Sequence, residues 1–88
     1  MKEIVKKAWA GTLESSDAYV EVEPAEAVEI ELQSVVQAQF GDAIEAAVRA
    51  VLAECGVEKA RVKVMDRGAL ECVIRARVET ALLRGREG

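Results

Sequence analysis

The chain has 88 residues, 12 basic and 16 acidic side chains, a formal net charge of −4 and no histidine. That length suits one small domain, residues 1–88, with little room for a deep pocket of its own, and a mildly acidic balance argues against general nucleic-acid binding, which needs a strongly basic face. Without histidine there is no Ser–His nucleophile, no imidazole acid or base and no histidine metal site, so the composition points away from autonomous catalysis.

One Trp, one Tyr and one Phe leave the core to Val, Ile, Leu and Ala and provide no platform for stacking bases. Cys55 and Cys72 both fall within apolar patterns. Two cysteines are no disulfide framework and, far apart in the chain, are poor zinc ligands. They read as small core residues of a cytoplasmic protein. No apolar run approaches the roughly 20 residues of a membrane span, and Glu3, Lys6 and Lys7 break up the first segment, so it is not read as a signal peptide.

Ile4 to Leu13 is the first strand candidate, with Trp9 as its large side chain. Tyr19 to Glu23 alternates, with Val20 and Val22 on one face and Tyr19, Glu21 and Glu23 on the other, until Pro24 ends the ladder. Val28, Ile30 and Leu32 alternate with Glu29, Glu31 and Gln33 in a third strand. Ser34 and Gln37 have capping-box spacing ahead of a helix. Its stripe is Val36, Phe40, Ile44, Ala47, Val51 and Cys55, widened by Val48 and Leu52, and Gly56 stops it. Gly41 is a weak point in that helix.

Ala60 to Met65 predicts a fourth strand, with Val62 and Val64 inward. Asp66-Arg67-Gly68 reads as a hairpin turn. The next stretch fits two periods. Leu70, Cys72, Ile74 and Ala76 fit a strand, while Leu70, Val73, Ile74, Val78, Ala81 and Leu82 fit a helix. The preceding turn and the β-branched residues favour strand over residues 70–77, a short helix from Val78 to Arg84, and a frayed end. The fold class is α+β: a small antiparallel sheet of four to five strands beginning with an N-terminal hairpin, one main helix on one face, and a short C-terminal helix.

The connection between the first two strands is Gly11-Thr12-Leu13-Glu14-Ser15-Ser16-Asp17. Small and acidic residues between two alternating runs read as a hairpin turn. Two serines therefore stand at an exposed tip where another enzyme can reach them. As hydroxyls, Ser15 and Ser16 are equivalent. Glu14 and Asp17 read as turn residues with local hydrogen bonds, with steering of a basic enzyme as the functional alternative.

Ala10-Gly11-Thr12-Leu13-Glu14-Ser15-Ser16-Asp17 resembles the N-terminal motif of the acyl carrier (gamma) subunits of citrate lyase. Gln39-Phe40-Gly41-Asp42-Ala43-Ile44 and the run from Asp66-Arg67-Gly68-Ala69-Leu70 to Glu79 are also similar to that family, in order, so the resemblance spans Ala10 to Leu83. It implies that Ser15, rather than Ser16, carries phosphoribosyl-dephospho-CoA through a phosphodiester. The arm's thiol would exchange acetyl for citrate on the transferase (alpha) subunit and present the citryl group to the lyase (beta) subunit, the chain itself being non-catalytic. A separate prosthetic-group transferase would attach the arm.

The related carrier subunit of malonate decarboxylase is the alternative within this chemistry, and a non-carrier interaction domain is the alternative outside it. A four-helix acyl carrier is disfavoured by the strand pattern and by the lack of an Asp-Ser-Leu attachment motif. Finally, a strand over residues 70–77 would put Arg61, Lys63, Arg75 and Arg77 on one outward face. That face could meet the arm's phosphates or an acidic partner, or be merely solvated and balanced by Glu71 and Glu79.

Overall fold

The computed structural model describes residues 3–35 and 37–87, the side chains of Gln37 and Ala38 excepted. Four strands and two helices follow in the order β1 (Ala8–Gly11), β2 (Ala18–Pro24), β3 (Glu29–Ser34), α1 (Gln37–Cys55), β4 (Ala60–Asp66) and α2 (Glu71–Arg86). The α+β class, the N-terminal hairpin, the main helix and a C-terminal helix are as the sequence predicts. In sheet order β1-β2-β4-β3, β2 pairs antiparallel with both β1 and β4.

The alternation of β2 and β4 sorts side chains as expected. Val20, Val22, Val62 and Val64 are fully buried. They face Ile44, Val48, Val51 and Leu52 of α1 and Ile74, Val78 and Leu82 of α2 in one core. Val28, Ile30 and Leu32 pack at its margin.

Several expectations are corrected. The sheet is mixed rather than antiparallel, because β3 and β4 run parallel, with Ile30 opposite Val62 and Leu32 opposite Val64. A helix between two strands returns the chain to the same end of the sheet, and the second strand then lies parallel to the first.

Residues 70–77 are not a strand. Leu70 precedes α2, which takes up Glu71 onward and continues to Arg86. Its buried residues Ile74, Val78, Ala81, Leu82 and Gly85 follow a helical period. Glu71 in its first turn and Arg84 and Arg86 in its last complement the helix dipole. The frayed end is likewise replaced: Gly85 lies under the first residues of the chain, and its carbonyl accepts from the amides of Val5 and Lys6.

Phase decides the remaining corrections. Cys72 is exposed and Cys55 half-buried, so only Cys55 approaches the core. Phe40, expected on the buried stripe, is 53 % exposed. It rims a groove between α1 and α2 together with Leu70 and Ile74. Val36 and the Gln37 side chain of the expected cap lie outside the described residues.

Asp66 ties the turn together where a hairpin was expected. It is the one charged residue buried among those described. Ser34 Oγ donates to its Oδ2 (2.7 Å) and the Ala69 amide to its Oδ1 (2.9 Å), joining the end of β3 to the approach of α2. Asp66→Ala removes the acceptor for both donors, and a loss of about 2 kcal/mol is expected in urea denaturation.

Candidate functional site

Strand register brings Gly11 opposite Tyr19, so residues 12–17 must turn the chain in a short span. The amide of Asp17 donates to the Glu14 carbonyl (3.1 Å), closing a turn with Ser15 and Ser16 at its centre. Ser16 has φ of +66°, the sign that type II turns require at their second central position. Thr12 Oγ1 donates to Asp17 Oδ2 (2.7 Å) and accepts from the Glu14 amide (3.2 Å), bracing the two sides.

The tip does not hang free. The Ser16 amide donates to the Arg67 carbonyl (2.8 Å), and the Arg67 amide donates to the Asp17 carbonyl (2.9 Å). From α2, Arg77 grips Asp17 with two parallel bonds, Nε to Oδ1 (3.0 Å) and Nη2 to Oδ2 (2.9 Å). Gly11, at φ +93°, makes this reach possible: a Cβ there would overlap the Ala18 carbonyl and press on the Arg77 stem.

Asp17 thus accepts from Arg77, Thr12 and the Ala18 amide. Those bonds, Arg77's first, hold its carboxyl well below the usual carboxylate range. A carboxyl whose folded-state value is depressed stabilises the fold above its unfolded value and loses that contribution as pH falls. The stability gap between wild type and Asp17→Asn should therefore be full above about pH 5 and close steadily below about pH 4. Urea denaturation across that range measures it, and a gap independent of pH would contradict the assignment.

Ser15 is exposed, and within the described residues its hydroxyl makes no hydrogen bond. Ser16 is exposed as well, but its backbone is committed to the left-handed turn and to Arg67. The two serines, equivalent as hydroxyls, are thus different in place. Asp17 is a turn residue with local bonds, as read from the sequence, and is also bound to α2.

The expected basic face is absent. Arg61 lies on the sheet surface opposite the helices and pairs with Glu23 (3.5 Å) and Glu29 (3.2 Å). Arg75 pairs with Glu54 of α1 (2.8 Å), and Arg77 is spent on Asp17. Lys63 shares the sheet face with Arg61 but not with the two helical arginines. Residues two apart on a helix point about 200° from each other, so a helical segment separates what a strand would have aligned.

The Arg67 and Arg77 contacts were not legible in sequence. Asp17 and Arg77 stand 60 positions apart; the only hint was that both fall within the recurring motifs.

A family model described as ACP, malonate decarboxylase delta subunit (MdcD), matches residues 5–85. In solved structures, a chain of a Pseudomonas malonate decarboxylase hetero-tetramer in complex with malonate superposes with a TM-score of 0.79 at 21 % identity, covering 90 % of this chain and 82 % of that one. The family match gives the class and the superposition its fold: a small α+β acyl carrier.

Among curated relatives, the citrate lyase acyl carrier protein of Escherichia fergusonii is 53 % identical over 87 residues, 97 % of this chain and 90 % of that protein. That of Haemophilus influenzae (strain PittEE) is 56 % identical over 81 residues, 92 % and 85 % of the two. The chain belongs to the citrate lyase acyl carrier protein family.

Proposed function

We propose that the chain is the carrier subunit of citrate lyase and that Ser15 is where its prosthetic group, phosphoribosyl-dephospho-CoA, is joined through a phosphodiester. The observation that carries the reading is the Ser15 hydroxyl: exposed, without an internal partner, on a turn pinned at both flanks. A residue in that position can enter the active site of a modifying enzyme without unfolding its support.

The group, when bound, supplies a thiol that holds acetyl or citryl as a thioester. The residues of the chain have a mechanical part. No histidine is available to take the Ser15 proton, so the attaching transferase must provide the base. Asp17, clamped by Arg77, Thr12 and Ala18, fixes the direction in which the tip projects. Tethering holds the thiol at high local concentration around the alpha (transferase) and beta (lyase) subunits. Catalysis resides in those partners, in the cytoplasm. No helix of the described residues is long and apolar enough to cross a membrane.

Intact mass and peptide mapping of the chain purified within its active complex test the reading. A mass increment localised to Ser15 is expected, and an unmodified Ser15 in an active complex would overturn it. Malonate decarboxylase is the second reading, favoured by the description of the family model. Identities above 50 % to citrate lyase carriers favour citrate. Complexes reconstituted with each set of partners should turn over citrate and leave malonate untouched.

A further inference from the structure

The arginines of this chain are nearly all committed. Arg49 pairs with Glu45, Arg61 with Glu23 and Glu29, Arg75 with Glu54 and Arg77 with Asp17. Arg84 donates to the Trp9 carbonyl, and Arg86 also has a partner. Among the described residues, Arg67 is the arginine whose guanidinium has neither an ion pair nor a hydrogen bond, and its side chain is exposed.

Its backbone is the opposite of free. Two backbone bonds lock it to Ser16 and Asp17, the last two residues of the turn at the tip. The chain therefore holds one unspent guanidinium at a fixed root beside Ser15. Charge around the tip leaves Arg67 as the one cation there free to meet an incoming anion. The Asp17 carboxylate is neutralised by Arg77, leaving Glu14 as the remaining tip carboxylate and Arg67 as the remaining cation.

We propose that Arg67 binds the phosphodiester formed on Ser15 and so anchors the root of the prosthetic arm to the platform. A guanidinium offers two parallel N–H donors to adjacent phosphate oxygens. An arm anchored at its root sweeps a smaller volume than one swivelling about Ser15 alone, so its far end is delivered in a more restricted direction. The inference rests on attachment at Ser15 and adds a positioning residue to it.

The test uses loaded protein as wild type, R67K and R67Q, with attachment at Ser15 first verified by mass and peptide mapping. The Arg67 side chain makes no internal bond, so all three should melt at the same temperature. Nitrogen-15 spectra follow the Arg67 Nε–H, and phosphorus-31 spectra follow the phosphodiester. On loading, the Nε–H signal should shift and then return toward its unloaded position as salt rises. The phosphodiester signal should move in R67Q and less in R67K.

An Nε–H signal identical before and after loading, or a phosphodiester signal indifferent to R67Q, overturns the proposal. So does an R67Q protein that assembles poorly with its partner subunits while its phosphodiester signal is unchanged; the guanidinium then serves a partner carboxylate. A wild-type chain carrying no group on Ser15 would bring down the attachment reading as well, and the mass measurement distinguishes that failure from the others.

Discussion

Ser15→Ala should abolish attachment of the prosthetic group, and Ser16→Ala should retain it. The chain expressed with its transferase is measured by intact mass: Ser15→Ala shows no increment and Ser16→Ala the full one. Activity of the reconstituted complex should follow the mass, absent in the first and present in the second. Neither outcome can be ascribed to unfolding. The exposed Ser15 hydroxyl makes no hydrogen bond within the described residues, and exposed substitutions of that kind stay within about 0.5 kcal/mol of wild type. Ser16 contributes its backbone to the turn, and alanine keeps the amide that donates to Arg67. Attachment in Ser15→Ala, or its loss in Ser16→Ala, would move the site to the neighbouring residue. Protein made without the transferase should be folded and unmodified in every case.

Gly11→Ala should be the most damaging single change at the hairpin. At φ +93° a side chain is strained whatever surrounds it. Here the added methyl would also overlap a backbone atom, the Ala18 carbonyl oxygen, and come within 3.1 Å of Arg77 Cδ. Backbone cannot swing aside as a side chain can, so β1 and β2 must separate at the base of the tip. A loss of about 3 kcal/mol or more is expected, a large share of the roughly 5–15 kcal/mol that holds a typical fold together. Urea denaturation measures it. Because Arg77 crosses this point to reach Asp17, the mutant should also lose the acid-dependent stability assigned to that pair. A near-neutral Gly11→Ala would mean that the hairpin does not pack as described.

How far the sequence could be read depended on whether the relevant contact was local. The faces of β2 and β4 were legible because alternation along a strand is decided residue by residue. The tip was legible because small and acidic residues between two alternating runs leave few alternatives. The segment from Leu70 to Arg77 was not, because two periods fit it equally well. The tie was broken by the surface it covers: α2 lays Ile74, Val78 and Leu82 on the same core that Val20 and Val64 present, which a short edge strand could not do. The supposed basic face vanished with that one change of period, since Arg75 and Arg77 were aligned only on a strand.

By itself, then, the sequence determined the α+β class, which residues of the central strands turn inward, a protruding serine pair, and the motifs that mark the carrier family. Tertiary structure alone decided that β3 and β4 run parallel, that the C-terminal segment is helical, and that Arg67 and Arg77 converge on the tip from distant parts of the chain. The division has a physical cause. Periodicity and turn chemistry act over a few neighbouring residues, whereas the partner of a strand, a carboxylate or a guanidinium is chosen only when the whole chain has closed around its core.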